Sequence, residues 1–330
     1  MGMKNMNVVL LCFVPALLNA QITVRQYGAT ANWITDDGPA IRAALAATPS
    51  GSVVEFPPGT YRITSPITGG GSGIVLKGDG RSATVIRNES NSHAIIVPAK
   101  VRGYTVSDLT IEGRPGSLDC IHISDDFAHV RLINLALLPQ SGSGVSTYEP
   151  TGTAGGIDVY LESVRVYFGT IAFNFLTTTS INDVTLINCY ANGASNVGFN
   201  LNGVFTATLI NTNADTNRIG YNLNAVSASI SGATAEGNSV GGFWMVGPGA
   251  YTLTNTYTWN QISPYKVTHA SADVILLNPR SAGTPSGPAL DITSARQVTL
   301  IGGKGLDKGL SSAADSFLAV HNGTIRASAF

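Results

Sequence analysis

Residues 184–211, VTLINCYANGASNVGFNLNGVFTATLIN, begin and end on the same device: a short run in which apolar and polar residues alternate, closed by an asparagine. Between the two lies GFNLN, a second alternating run. Working outward, the closing run recurs as LTIEG, VRLIN, VYLES, VTLIN, ATLIN, ASISG, YTLTN, VILLN and VTLIG. Its last residues are Gly113, Asn134, Ser163, Asn188, Asn211, Gly232, Asn255, Asn278 and Gly302, at gaps of 21, 29, 25, 23, 21, 23, 23 and 24. The other run recurs as CIHIS, GVSTY, AFNFL, GFNLN, GYNLN, GFWMV and YKVTH, centred on His122, Ser146, Asn174, Asn200, Asn222, Trp244 and Lys266.

Two short strands per repeat of about two dozen residues describe one coil of a parallel β-helix, an all-β solenoid whose coils stack at about 4.8 Å. A propeller needs four strands per repeat, and a leucine-rich horseshoe a stricter leucine pattern. The asparagines that close five of the nine runs suggest a ladder of stacked amides facing the turn interior.

The rest of the chain bounds the reading. Residues 1–20 carry Lys4, an apolar run Val8–Leu18 and a small-residue end at Asn19-Ala20, the pattern of a removable secretory signal. Export of the mature chain is therefore expected. Beyond it remain only Cys120 and Cys189, too few for a disulfide scaffold. The formal net charge of -1 gives no basic excess to hold nucleic acid or an anionic membrane. Residues 21–75 read as an N-terminal cap and first strands, with a helix over Gly38–Ala47 capped by Asp36 or Asp37 and strands Ser52–Phe56 and Thr60–Thr64. Residues 76–330 read as coils forming one continuous domain with that cap, which covers the solenoid's open end.

Within the cap, Tyr27-Gly28-Ala29, Thr35-Asp36-Asp37, Ala40-Ile41 and Val54-Glu55-Phe56-Pro57-Pro58-Gly59-Thr60-Tyr61 resemble the N-terminal signature of the pectate-lyase-like superfamily. The resemblance is nearest to its rhamnogalacturonase-like and epimerase-like members, single-stranded right-handed β-helices. It implies a groove along the outer face of one sheet and action on acidic or complex polysaccharide. The hydrolase motifs of the polygalacturonase-like members are only echoed, by Asp119-Cys120-Ile121 and Arg218-Ile219-Gly220, and none of the five histidines sits between two glycines.

The alternation of strand side chains turns Ile121 and Ile123 inward and His122 outward. The same parity builds an outer column of His122, Ser146, Asn174, Asn200, Asn222, Trp244 and Lys266, with Ser124, Tyr148, Leu176, Asn202, Asn224, Val246 and Thr268 beside it. Amides and an indole suit hydroxyls and sugar rings, so Ser146, Asn174, Asn200, Asn222, Trp244, Lys266 and Arg218 are candidate substrate contacts. At one end LDCIHISDD, residues 118–126, concentrates charge in a chain only 12% charged. The candidate catalytic residues are Asp119, His122, Asp125, Asp126 and Tyr148. A histidine and a tyrosine suit proton abstraction next to a uronate carboxylate, as in a lyase. Paired carboxylates suit glycoside hydrolysis. Asp125, Asp126 and Glu149 offer oxygens to Ca²⁺ without an ordered calcium-loop spacing. The function expected is a secreted lyase of uronate-containing polysaccharide, with a pectin-type hydrolase and a non-catalytic glycan-binding or structural β-helix as alternatives.

Overall fold

The computed structural model describes residues 21–147, 155–259, 261–283, 286–306, 310–312 and 318–321. It is a right-handed parallel β-solenoid with all named strand pairs parallel and the register kept from coil to coil apart from a few local shifts. Each full coil has three strands where the sequence suggested two. One face runs through Ile95–Val97, Ile121–Ile123 and Ser143–Ser146, and a second through Arg102–Ser107, Ala128–Ile133 and Ile157–Glu162. In the middle coils these two faces fuse into the long strands Ile171–Ile187, Val197–Ile210 and Ile219–Ser231. The third face is an 11-stranded sheet that includes Thr110–Glu112, Tyr190–Asn192, Asn213–Asp215 and Thr234–Glu236.

The third face corrects the register of the first repeat. LTIEG is not a second-face run: its Thr110–Glu112 belongs to the third face and pairs with Ala136–Leu138. The partner of VRLIN is Tyr104–Asp108, with Ser107 opposite Ile133. Asp108, 26 residues before Asn134 and accepting a 2.7 Å bond from its Nδ2, takes the place assigned to Gly113.

The closing asparagines form the expected amide contact in one place, where Asn278 Nδ2 donates to Asn255 Oδ1 at 2.9 Å, but what all five share is a backbone conformation. Asn134, Asn188, Asn211, Asn255 and Asn278 all have φ between 49° and 53°, and Gly232 and Gly302 occupy the same corner at 64° and 66°. The corner demands left-handed backbone, which asparagine tolerates and β-branched residues do not. Four of the five side chains are exposed rather than inside the turn. The buried amide ladder lies one turn later, at Asn217, Asn238 and Gln261, each at most 2% exposed. Asn217 Oδ1 accepts from the Ala194 amide (2.9 Å), and its Nδ2 donates to Asn238 Oδ1 (3.0 Å) and the Ala191 carbonyl (3.2 Å). Asn217→Ala leaves the Ala194 amide and Asn238 without these partners in a dry turn, and a loss of about 2–3 kcal/mol is expected in urea unfolding. A loss below a few tenths would show that water replaces the ladder.

At the cap, the helix spans Gly38–Ala47 as the pattern predicts, and buries Ile41, Ala44 and Leu45. Its Asp37 N-cap makes no side-chain cap bond. Asp37 is 1% exposed and instead accepts from the amides of Thr30 (2.7 Å) and Ala31 (3.0 Å), fixing the chain that leads into the helix. The Gly38 amide is met by Asp36 Oδ1 at 3.1 Å. The neighbouring strands are Val53–Phe56 and Gly59–Ile63, and Gln21–Thr23 pairs on the first of them.

Candidate functional site

Asp119 follows the third-face strand Thr110–Glu112 and stands two residues before Ile121–Ile123. Its Oδ1 accepts from the Ser143 amide of the next coil at 2.7 Å. Its Oδ2 lies 3.1 Å from Nδ1 of His93, on the preceding coil, and 3.7 Å from Nδ1 of His122. One carboxylate thus ties three successive coils. The two imidazoles stack on each other, centroids 4.3 Å apart and planes 23° from parallel.

Sequence reading found Asp119 and His122 but not His93. The repeat held the signal: His93 precedes Asp119 by 26 residues, and the coil register that pairs Ile95 with Ile121 sets the two side by side. Nδ1 of His93 lies 3.3 Å from the Asp119 amide, which would donate to it, as well as 3.1 Å from the carboxylate, to which it would have to donate. It cannot do both, and the shorter contact to a full negative charge sets it as the donor.

Burial raises the pKa of Asp119, but the His122 ring 3.7 Å away and the closer contacts from His93 and the Ser143 amide outweigh it and hold the carboxyl well below the usual range. The folded pKa being depressed, this contribution to stability is complete above the unfolded pKa of about 3.9 and fades as pH falls through the folded value. The wild type is therefore expected to lose stability below about pH 4 more steeply than Asp119→Asn, read as melting temperature against pH. Parallel curves would show that the carboxylate is not held in this way.

The same three residues are the one group of metal-ligating side chains found together among the described residues, their ligand atoms within 4.8 Å of one another. The stacking argues against a shared ion in this arrangement. A metal bonds an imidazole nitrogen in the ring plane at about 2.0–2.1 Å, and two nearly parallel rings one layer apart share no such point. The cluster as built is an acid–base arrangement.

The other candidates fall into four places. Asp125 and Asp126 lie in the turn after His122 and outside the ligand group. Asp126 has φ 57°, and its Oδ1 and carbonyl accept from Arg102 at 2.9 and 2.7 Å, so it serves a corner and an ion pair. Tyr148 and Glu149 lie outside the described residues. The outer column is in register as the parity argument requires: His122 opposite Ser146, then Asn174, Asn200, Asn222, Trp244 and Lys266, ending on Asp291.

Pointing outward does not leave all of that column open. His122, Ser146, Asn174 and Asn200 are only 6, 2, 8 and 6% exposed. Asn200 Nδ2 donates to Asn174 Oδ1, and Asn222 Nδ2 to Asn200 Oδ1, each at 2.8 Å, so part of their hydrogen-bonding capacity is turned along the axis. At the far end the Lys266 ammonium lies 5.2 Å from the centre of the Trp244 ring and 3.5 Å from Asp291. Arg218 sits in the turn before its strand, with Nη1 3.3 Å from Asn196 Oδ1.

Residues 21–134 match the family described as rhamnogalacturonase A/epimerase, pectate lyase-like. No curated protein is significantly similar in sequence. Among solved structures, the ORF18 protein of Geobacillus virus E2 aligns with TM-score 0.53 and 15% identity over 92% of this chain, which spans 60% of that one. The A-module of the Azotobacter vinelandii mannuronan C-5 epimerase AlgE6 gives TM-score 0.53 and 15% identity, covering 92% of this chain and 98% of the module. PfbA, a surface adhesin of Streptococcus pneumoniae, gives 0.54 and 13%, covering 93% and 92%. At these identities the likeness is one of fold.

Proposed function

We propose that this right-handed β-helix, whose residues 21–134 match a pectate-lyase-like family, is a secreted carbohydrate-active enzyme that cleaves a uronate-containing polysaccharide by β-elimination. The observation that carries this reading is the Asp119 carboxylate holding His93 and His122 together at one end of a polar outer column. That cluster supplies two imidazoles and one anion, the groups of proton abstraction, whereas glycoside hydrolysis calls for two carboxyls across the bond. A mannuronan epimerase among proteins of this fold supports the same chemistry, since epimerisation at C-5 and elimination share their first step.

In the step proposed, His122 takes the proton from the uronate carbon next to the carboxylate. The electron pair left behind delocalises into that carboxylate, then forms a carbon–carbon double bond as the adjacent glycosidic C–O bond breaks. The leaving oxygen takes a proton, for which Tyr148 is the proposed donor, two residues after the in-register neighbour of His122. Asp119 stays ionised and orients and stabilises the imidazole that gains the proton. Ser146, Asn174, Asn200, Asn222, Trp244, Lys266 and Arg218 are the proposed substrate contacts, Lys266 or Arg218 meeting a uronate carboxylate.

The test is to incubate the protein with a panel of uronate polysaccharides, with and without Ca²⁺, following unsaturated-uronide absorbance and reducing ends together. Both signals rising supports elimination. Reducing ends alone mean a hydrolase, and silence in both with glycan binding retained means a binding module. Loss of both signals on removing Ca²⁺ would assign an ion to the reaction.

A further inference from the structure

Two residues beyond Asn200 and Asn222 on the same strands, the solenoid wall opens into a depression of about 210 Å³ lined by Asn202, Phe205, Asn224, Val226 and Pro248. We propose that it is a subsite for an uncharged pyranose ring, distinct from the His–Asp–His cluster and resting on the reading that the ligand is a polysaccharide.

The cavity is formed by a local break in the ladder. The register shifts between Asn202 and Val204, and Gly203 takes φ 84° at the break. Phe205 and Val226 are left 54% and 53% exposed on either side of this break, among the more exposed of the large apolar strand residues. The opposite wall is Gly247-Pro248-Gly249. A Cβ on Gly247 would stand 2.0 Å from Asn224 Oδ1, and one on Gly249 1.9 Å from the Ala225 carbonyl. Only glycine lets this loop lie so close, and it brings Pro248 over the cavity.

The lining selects the ligand class. Asn224 Nδ2 donates to Asn202 Oδ1 at 2.8 Å, which orients both amides and leaves Asn202 Nδ2 and Asn224 Oδ1 to offer a donor and an acceptor to hydroxyls. Phe205 offers an apolar face to the C–H side of a sugar ring. No lining residue is charged. A second depression on the other side of Phe205 is lined by Asn182, Asp183 and Thr206, so the one nearby charge is negative. A uronate would lose its hydration there and meet no cation, whereas a neutral sugar loses nothing comparable. The Asn200 coil lies three coils from that of His122, about 14 Å at the coil spacing. A single glycan strand, or a neutral branch on it, can therefore reach both places.

Saturation-transfer NMR with neutral hexose and deoxyhexose oligosaccharides, and separately with homo-oligouronates, tests this without requiring turnover. Wild type and His122→Gln are expected to bind at least one neutral probe alike, and Phe205→Ala to weaken that binding at least tenfold with its melting temperature unchanged. Phe205→Trp should restore it. The proposal is overturned if no neutral probe binds, if Phe205→Ala binds as well as wild type, or if oligouronates show the same dependence on Phe205. Loss of uronide release would sink the elimination reading and leave this result standing.

Discussion

Phe199→Ala is expected to lower stability by about 4 kcal/mol. Phe199 is completely buried between Phe173 and Tyr221, with centroids 4.8 Å away on each side and planes within 4° and 6° of parallel. The row continues through Phe243 to Tyr265. Aromatic pairs left to themselves avoid face-to-face stacking. Here strands spaced at about 4.8 Å impose it, so burial rather than ring–ring attraction supplies the stabilisation. The cavity left by alanine has rings on both sides that the backbone spacing holds apart, and it cannot collapse. Urea unfolding is the measurement. A solenoid joins its coils through nearest neighbours, so the variant is also expected to separate into two transitions. A single transition with a loss below about 1 kcal/mol would mean that the row does not couple the two halves.

That row was legible as alternation but not as a stack, because AFNFL, GFNLN, GYNLN and GFWMV fix which residues turn inward and leave the coil register to the fold. Where parity alone decides, the sequence reading was reliable. The outer column from His122 to Lys266 is in register over its whole length. It misled wherever a residue's backbone conformation outweighed its side chain. Asn134 and Asn188 look like ladder amides, but the left-handed corner is what they are needed for. In the middle coils the third strand escaped notice because it is three residues long and turns a single small residue inward, Ala191, Ala214 or Ala235, which gives no hydrophobic periodicity. Asp119 and His122 stood out as neighbours in sequence. His93 is brought to them by one turn of the solenoid, and its own surroundings, NSHAII, carry no charge to draw attention. The opening at Phe205 was hidden for the same reason: an exposed aromatic at a register shift looks like a core residue in a repeat.

His122→Gln is expected to reduce turnover by about 10²–10⁴-fold, the contribution of a positioned general base. Glutamine keeps much of the volume and the polar character beside Asp119, but it cannot accept a proton at neutral pH. His122 is 6% exposed and stacked on His93, so the substitution also costs stability, about 1–2 kcal/mol from the lost ring packing and the changed polar contacts. Rates should therefore be compared well below the variant's melting temperature, which separates lost chemistry from lost fold. Asp119→Asn is the companion. It keeps an acceptor for the Ser143 amide but removes the charge that orients and stabilises both imidazoles, and a fall of similar size is expected. Because the two residues act as one unit, the double variant should be scarcely slower than either single one. Losses that multiply would place His122 and Asp119 in separate tasks, and full activity in His122→Gln would move the proton abstraction elsewhere on the solenoid.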